Sequence, residues 1–191
     1  MNIGIIGFGS IGKRHSKNLL ELGANVSILR STNKKTEKDS QESSSFYFDE
    51  DDFFSNNLDG IVICNPTFLH KKFIELAVAK DLNFFCEKPL ASNASDLEHL
   101  SKSITKKNLT TCCGYMMRYH KEINLIKEII DSGQLGRITS SHINWSTYLP
   151  DWHPWEDYSE SYASNSEMGG GAILTCSHEI DTMNYLFGKS E

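Results

Sequence analysis

The sequence has 191 residues, of which 39% are hydrophobic and 23% are charged, and a chain of this composition can bury a sizeable core without disulfide or metal staples. Its formal net charge of -6 and its lack of a basic stripe argue against a nucleic-acid partner. Five cysteines without a C-x-x-C pair, no apolar run of membrane-spanning length and no signal peptide before the first strand lead us to expect a cytoplasmic protein without a membrane partner.

Short apolar runs alternate with helical patterns along the first 120 residues, which is typical of βαβ units whose parallel strands are buried on both faces. The predicted strands are Asn2–Ile6, Asn25–Leu29, Phe46–Phe48, Ile61–Cys64, Leu82–Cys86 and Leu109–Cys113. The predicted helices are Ile11–Leu22, a helix capped by Thr67 that ends near Lys80, and Asn93–Lys107, while the polar run Ser31–Ser45 is predicted to be a loop. We therefore predict an α/β fold with a doubly wound parallel Rossmann sheet over residues 1–120.

Residues 121–191 follow a different pattern. We predict a helix over Glu122–Ser132, a long strand over Gly136–Tyr148, a loop over Leu149–Ser166 and a final helix over Gly170–Phe187. One strand with unpaired edges does not make a stable sheet domain. We therefore expect an incomplete, truncated α+β domain for substrate binding and oligomerisation. Either another chain supplies its partner strands, or the sequence stops short of a longer parent.

The first motif is a G-x-G-x-x-G run directly after the first predicted strand, formed by Gly7, Phe8, Gly9, Ser10, Ile11 and Gly12. In a βαβ unit such a run binds the pyrophosphate of a dinucleotide. The first glycine allows the tight turn, the second lets the backbone approach the phosphates, and the third lets helix and strand pack closely. The free amides and the positive dipole end of the helix N-terminus attract the same phosphates. The alternative is a glycine-rich turn that binds no ligand.

Arg30 and Ser31 follow the second predicted strand, where an NAD enzyme often carries an acidic residue for the ribose 2′-hydroxyl. An arginine at this position can accommodate a 2′-phosphate instead, so we predict NADP as the cofactor in preference to NAD. The alternative is that Arg30 stacks on the adenine without discriminating between the two cofactors.

Two further motifs lie at the carboxyl ends of predicted strands, where open α/β sheets bind ligands. Asn65-Pro66-Thr67 follows the fourth strand and directs two polar side chains at the cleft. Glu87-Lys88-Pro89 follows the fifth strand, and its lysine, paired with or oriented by the glutamate, is suited to donate to a substrate hydroxyl or carbonyl. The alternatives are a simple turn with a helix cap at the first motif and an exposed ion pair at the second.

Three glycines, Gly169–Gly171, stand at the start of the last predicted helix. Their approach to a ligand would be close, because glycine has no side chain. On that helix Thr175 and His178 are three residues apart and share a face, and so do His178 and Asp181. A histidine can transfer a proton near neutral pH, so His178 is the predicted general acid–base. The alternative is a helix histidine bonded to its neighbours. The spacing of His178, Glu179 and Asp181 matches no zinc pattern, and we predict no metal.

Together these motifs resemble the Gfo/Idh/MocA oxidoreductase family. The ordered set is Gly7-x-Gly9-x-x-Gly12-x-x-His15, Asn65-Pro66-Thr67-x-x-His70, Glu87-Lys88-Pro89, the segment Gly114–His120, and Gly169–Gly171 followed by His178-Glu179-Ile180-Asp181. The resemblance implies hydride transfer between NAD(P) and a hydroxyl carbon of a sugar, cyclitol or sugar derivative. In that family the lysine, here Lys88, touches nicotinamide and substrate, and the histidine, here His178, is the acid–base. Beyond the residues after the first two strands, the expected cofactor contacts are Asn65, Pro66, Thr67, His70, Glu87 and Lys88.

Within the family, the run Trp152–Tyr158 with the later glycine and histidine motifs resembles members associated with surface-sugar biosynthesis, including sialic-acid-like sugars. Two features depart from the family pattern. Thr175 stands where the family usually has an Asp one helical turn before the histidine, and a hydroxyl cannot act as a carboxylate. The chain also ends at Glu191, before most of the sheet that forms the pocket floor and the oligomer contact in family members. A cofactor-binding module that has lost its chemistry and a truncated relic are therefore the alternatives to an enzyme, and a homo-oligomer would lack its usual interface.

Overall fold

The structure, a computed structural model, describes residues 1–31, 44–93, 97–152 and 157–188. These residues form two compact units, which divide between Gly114 and Tyr115. Most of the predicted loop Ser31–Ser45, part of the predicted helix Asn93–Lys107 and the middle of the run Trp152–Tyr158 lie outside the described residues.

A six-stranded parallel sheet forms the centre of the first unit. Its strands are β1 (Asn2–Ile6), β2 (Asn25–Leu29), β3 (Ser45–Tyr47), β4 (Gly60–Ile63), β5 (Asn83–Cys86) and β6 (Thr111–Cys113). The order across the sheet is β3-β2-β1-β4-β5-β6, and every neighbouring pair is parallel. This is the strand order of a Rossmann fold, so the predicted doubly wound sheet is confirmed.

The order of the strands reverses between β1 and β4, which lie side by side. Ile6 at the end of β1 is level with Leu29 on β2 and with Ile63 on β4. The residues after β1, β2 and β4 therefore emerge at the same edge of the sheet. Ligands of open α/β sheets bind in the crevice at such a reversal.

The two faces of the sheet carry separate cores because successive strand residues point to opposite sides. Ile5 on β1 and Ile28 on β2 belong to one core, which also receives apolar side chains of the helix after β1. Ile6 on β1 and Leu29 on β2 belong to the other core, which the remaining helices of the unit cover. This two-sided burial explains why the strands appear in the sequence as continuous apolar runs.

In the described part of the first unit, four helices connect these strands: α1 (Ser10–Glu21), α2 (Glu50–Phe54), α3 (His70–Ala79) and α4 (Glu98–Lys107). The short helix α2 was not predicted, although Asp49 caps it by accepting a hydrogen bond from the Asp52 amide at 3.0 Å. The prediction that Thr67 caps the third helix is wrong. Thr67 instead begins a 3₁₀ turn that ends at Leu69, and no side chain among the described residues caps α3.

The second unit contains α5 (Lys121–Asp131), α6 (Ala172–Thr175) and α7 (Ser177–Phe187), with 3₁₀ turns between them. The strand predicted over Gly136–Tyr148 is not formed. Its alternating pattern suits a strand, but a strand needs a hydrogen-bonded neighbour, and no described segment pairs with it. The single helix predicted over Gly170–Phe187 is also wrong, because Cys176 leaves the helical conformation at φ -101° and ψ 39° and separates α6 from α7.

All five cysteines are free thiols. No helix in the described part of the chain is long and apolar enough to cross a membrane.

Candidate active site

The glycine motif joins β1 to α1 by a turn that brings the backbone unusually close together. Gly7 has a positive φ of 93°, and a Cβ there would lie 2.8 Å from the Asn65 backbone nitrogen. A Cβ on Gly12 would lie 2.2 Å from the Gly7 carbonyl oxygen. Only glycine fits either position, because such contacts are far inside van der Waals distance. The first and third glycines of the motif are thus explained by packing within the protein.

Gly9 differs from the other two glycines of the motif. A Cβ at this position would meet no atom within 4 Å, and its φ of -74° is open to any residue. Gly9 is also the N-cap of α1, where no side chain among the described residues caps the helix and no acidic residue occupies the first turn. The Ser10 and Ile11 amides therefore belong to a helix N-terminus that is suited to an anion.

Arg30 follows β2 and lies against two aromatic rings. Its guanidinium carbon is 5.6 Å from the Phe8 ring centroid and 5.9 Å from that of Phe46, and the two rings meet edge-on at 5.4 Å. The Arg30 amide donates to the Tyr47 carbonyl at 2.9 Å, which ties its backbone to β3. Phe8 itself is a core residue, whereas Ser31 is exposed. The cation–π contacts hold the guanidinium at the edge of the sheet beside the glycine motif.

Asn65 has a buried side-chain amide whose hydrogen-bonding groups are not satisfied within the described part of the protein. Its side-chain Oδ1 and Nδ2 are both buried, and neither has a hydrogen-bond partner among the described residues. Leaving a buried amide unsatisfied costs about 1–3 kcal/mol, so native proteins rarely keep one without a ligand or water to satisfy it. Asn65 is the second residue after β4, and its backbone nitrogen would lie 2.8 Å from a Cβ on Gly7, which places the residue beside the end of β1 at the reversal of strand order.

His70 lies beneath this crevice and is only 1% exposed. Its Nε2 is 2.8 Å from the Asn65 carbonyl oxygen, and its Nδ1 is 2.9 Å from the Pro89 carbonyl oxygen. Burial lowers the pKa of His70 and outweighs the opposing effect of these two carbonyl groups. His70 therefore connects the segment after β4 to the segment after β5. Thr67, at the start of the intervening turn, is also buried.

Glu87 follows β5 and is contacted from three sides. Its Oε1 accepts from His15 Nε2 at 2.8 Å, and its Oε2 accepts from the Lys88 amide at 3.2 Å. A Cβ on Gly114, after β6, would lie 2.8 Å from the same Oε2. Burial raises the pKa of Glu87, but the hydrogen bonds and charges of His15 and Lys88 together outweigh it, so the pKa lies below its ordinary value. Glu87 is therefore a carboxylate at neutral pH, and the Lys88–Pro89 bond that follows is cis.

His178 stands near the start of α7 in the second unit. The Tyr115 ring meets the His178 ring edge-on at a centroid distance of 6.0 Å. Three residues further along the helix, Asp181 accepts two hydrogen bonds from Arg118, at 2.9 Å from Nε and 2.6 Å from Nη2. The Arg118 guanidinium also lies 5.5 Å from the Tyr185 ring. Positions 178, 181 and 185 share one face of α7, so the segment after β6 contacts the histidine face of this helix.

The residues before His178 are arranged differently from the sequence prediction. Thr175 is buried, but the break at Cys176 places it on α6 rather than on the helix of His178, so the two do not share a helical face. The glycines before α6 also have a packing role, because a Cβ on Gly170 would lie 2.1 Å from the Tyr162 carbonyl oxygen. Close approach of protein backbone therefore explains Gly170 without a ligand.

Sequence reasoning missed three residues that the structure connects to predicted site residues. In the sequence His15 marks only the end of the glycine motif, whereas in the structure it is the partner of Glu87. Gly114 and Arg118 stand out in the sequence only as part of a segment that resembles the family. One local signal was available for His15. It lies three residues after Gly12 and therefore on the same face of the helix, which packs against the end of β1. No local signal pairs Arg118 with Asp181, which lies 63 residues away.

The described residues fit a bound dinucleotide. Gly9 leaves open space at an uncapped helix N-terminus, and the unsatisfied Asn65 amide lies at the adjoining strand end. By contrast, no group of three or more His, Cys, Asp or Glu side chains in the described ranges could hold a metal ion.

The comparisons with known proteins agree with this geometry. Residues 1–115 match the oxidoreductase family with an NAD-binding Rossmann fold, GFO_IDH_MocA, and residues 123–191 match a C-terminal domain of the same family. The match to the first domain covers more than half of the chain. The chain belongs to the GFO/IDH/MocA oxidoreductase family, as its motifs predicted.

Individual relatives match 98–100% of this chain but only part of their own length. The chain is 25% identical to myo-inositol 2-dehydrogenase from Thermotoga maritima over 99% of this chain and 55% of the relative. It is 25% identical, with a TM-score of 0.79, to scyllo-inositol dehydrogenase from Lactobacillus casei with bound NAD(H) and scyllo-inositol, covering 100% of this chain and 57% of that one. The WlbA dehydrogenase from Bordetella pertussis, solved with NADH and UDP-GlcNAcA, has a TM-score of 0.83 at 20% identity over 98% of this chain and 55% of that chain. The chain spans about half the length of the curated relatives it matches.

Proposed function

We propose that this chain binds NADP, in preference to NAD, and transfers a hydride to or from a hydroxyl carbon of a sugar or sugar derivative. The observation that carries the cofactor part is the buried, unsatisfied amide of Asn65 beside the open backbone of Gly9. Family membership and relatives that act on inositols or were solved with a nucleotide sugar support the substrate class. The bound nicotinamide would accept or donate the hydride.

The proposed cofactor contacts begin at the end of β1. The backbone of the glycine motif and the α1 N-terminus, which includes Ser10 and Ile11, hold the pyrophosphate through their amides. Asn65 and Thr67 line the crevice after β4, and Pro66 prevents the strand from continuing into it. Glu87 and His70 belong to the same region of the first unit, but the contacts described above direct both of them at neighbouring protein groups.

Two residues carry the proposed chemistry. Lys88 orients the nicotinamide and substrate and holds a positive charge near the reacting oxygen, where a cation stabilises developing negative charge. His178 transfers the hydroxyl proton as general acid–base. Lys88 lies in the proposed cofactor domain, residues 1–120, and His178 lies in the proposed substrate domain, residues 121–191.

The preference for NADP rests on Arg30. A guanidinium forms paired, charge-assisted hydrogen bonds with a phosphate. The rings of Phe8 and Phe46 hold Arg30 at the end of β2, the position at which Rossmann domains discriminate between the two cofactors. Ser31, exposed beside it, offers a further hydroxyl to the same phosphate.

A second candidate function is a binding module that has kept the cofactor site and lost the chemistry. Thr175 favours it, because the hydroxyl cannot give a protonated His178 the electrostatic support of a carboxylate. If the absence of this carboxylate limits hydride transfer, Thr175→Asp should raise the hydride-transfer rate. An unchanged rate in a folded, cofactor-binding variant would count against this explanation.

The first experiment is a fluorescence titration of the purified chain with NADPH and with NADH. We expect tighter binding of NADPH, and we expect Arg30→Glu to weaken NADPH binding by about tenfold or more, the size of a lost charged contact, while NADH binding changes little. Arg137→Glu, at an exposed arginine of the second unit, is the matched control. Equal losses for both cofactors would refute the role of Arg30. No binding of either cofactor by a folded sample would refute the proposed function.

A second experiment tests the chemistry with a panel of cyclitols, sugar phosphates and nucleotide sugars, followed at the absorbance of the reduced nicotinamide. Lys88→Met and His178→Gln should each lower turnover by about 10²-fold or more without abolishing cofactor binding, because they remove charge placement and proton transfer. If each single variant keeps the turnover of the wild-type chain, the proposed roles of Lys88 and His178 are refuted.

A further inference from the structure

Two histidines from different helices contact the Glu87-Lys88-Pro89 turn from opposite ends. His15 on α1 bonds to the side chain of the first residue, and His70 on α3 bonds to the carbonyl group of the last. We propose that His15 and His70 are positioning residues that hold this turn, and with it the backbone of Lys88, against the cofactor-binding elements. The inference rests on the role proposed above for Lys88.

The first contact couples the turn to the phosphate-binding helix. His15 lies one helical turn after Gly12, and its ring packs on Phe85 at a centroid distance of 5.1 Å. With the ring so placed, Nε2 reaches the Glu87 carboxylate. The second oxygen of that carboxylate accepts from the Lys88 amide. One carboxylate therefore links α1 to the backbone at which the Lys88 side chain begins.

The second contact couples the turn to the segment after β4. His70 is almost completely buried, and its two ring nitrogens face the carbonyl groups of Asn65 and Pro89. A neutral imidazole donates one hydrogen bond, and a protonated one donates two. In either state the ring fills the space between the two segments and fixes their separation.

His70 acts through other residues and not on a ligand, and the His15 Nε2 is directed at Glu87. Every nitrogen of His70 is turned toward backbone, and the ring has almost no exposed surface. Lysine has a long flexible side chain, so fixing its backbone on both sides is an effective way to reduce the volume its ammonium group explores. Gly114 completes the arrangement, since any Cβ there would push the Glu87 carboxylate away from the Lys88 amide.

The test measures amide hydrogen exchange at Lys88 by NMR on the whole chain. His15→Phe keeps a ring on Phe85 and removes the hydrogen bond to Glu87, so exchange at Lys88 should rise by about tenfold or more while exchange in β1 and β4 stays unchanged. Glu87→Ala should give the same rise, and Glu87→Gln, which keeps an acceptor oxygen, should recover much of the protection. His70→Gln is the corresponding change on the other side, and His99→Phe, at an exposed histidine of α4, is the matched control.

Cofactor titration separates positioning from ligand contact. Because no phosphate-binding group is removed, the dissociation constant of His15→Phe for NADPH should stay within about threefold of the unchanged chain. Unchanged exchange at Lys88 in His15→Phe and Glu87→Ala would overturn the proposal, as would a large loss of cofactor affinity without a change in exchange. If the proposed function is wrong, the wild-type chain will bind neither NADPH nor NADH. The exchange comparison does not depend on that result and would still decide the role of the two histidines.

Discussion

The close packing of Gly12 against Gly7 leads to a quantitative prediction for Gly12→Ala. The new Cβ would lie 2.2 Å from the Gly7 carbonyl oxygen, where contacts below 3.0 Å essentially never occur. The start of α1 and the end of β1 must therefore separate by about 1 Å in a core that is packed as densely as a crystal. Both groups are backbone and have no flexible end to move away. We expect a loss of about 2–3 kcal/mol in the free energy of unfolding, the upper part of the range for overpacking.

Gly9→Ala is the matched control, because a Cβ at Gly9 would meet nothing within 4 Å. Its free energy of unfolding should fall by no more than about 1 kcal/mol, since the only expected cost is that of alanine in place of glycine at the N-cap of α1. Both variants should bind the dinucleotide poorly, for different reasons. Gly9→Ala places a methyl group where the phosphates approach, whereas Gly12→Ala moves the amides that bind them, and a displacement of about 1 Å can cost 10²-fold.

The assay combines guanidinium unfolding, followed by far-UV circular dichroism, with hydrogen exchange and mass spectrometry of the β1 segment. The exchange measurement is needed because residues 1–114 contain no tryptophan, so no tryptophan of the first unit is available to report on the sheet by fluorescence. A Gly12→Ala variant as stable as Gly9→Ala would refute the packing argument. Full cofactor affinity in Gly9→Ala would refute the argument that open space at Gly9 serves the phosphates.

Three further predictions concern contacts outside the glycine motif. Arg118→Lys loses the paired hydrogen bonds to the buried Asp181 carboxylate. Because Arg118 is half exposed, the free energy of unfolding of the second unit should fall by only about 1–2 kcal/mol, as measured by tryptophan fluorescence. Arg137→Lys, the control, should have no effect. Because burial lowers the pKa of His70 from 6.5, the unfolded chain takes up this proton first, so stability should be complete above about pH 6.5 and fall as pH drops toward the folded-state pKa. Urea unfolding at several pH values should show this slope, and His70→Gln should remove it; an unchanged slope would count against the burial of His70. Gly114→Ala should cost about 1–3 kcal/mol, because its Cβ would lie 2.8 Å from Glu87 Oε2 and 3.3 Å from the Glu87 Cα, and it should raise amide exchange at Lys88. Normal exchange there would show that the carboxylate does not protect this amide.

The first unit could be predicted closely because its signals are local. Strands such as Gly60–Ile63 are buried on both faces, so each appears as an apolar run between turn residues. The helix from Ser10 to Glu21 repeats its apolar positions at helical spacing. The short helix Glu50–Phe54 was missed because five residues are too few for a periodic pattern, and only its cap at Asp49 marked it.

The second unit was predicted less well, because its elements depend on neighbours. Gly136–Tyr148 alternates like a strand, but backbone pairing decides whether a strand forms, and no described segment supplies it. The helix break at Cys176 likewise has no signal in a sequence without glycine or proline at that position. Because of this break, Thr175 and His178 lie on different helices and do not share the helix face that the sequence predicted.

By itself the sequence determined the Rossmann sheet, the glycine turn and the family, because each depends on residue types at short, fixed spacings. Only the tertiary structure decided which partners those residues have. It paired His15 with Glu87 across 72 positions, connected His70 to Pro89, left the Asn65 amide unsatisfied and joined Arg118 to Asp181. Contacts between distant residues depend on how the chain packs in space, and a local pattern of hydrophobic and polar residues carries no information on which distant side chain will meet it.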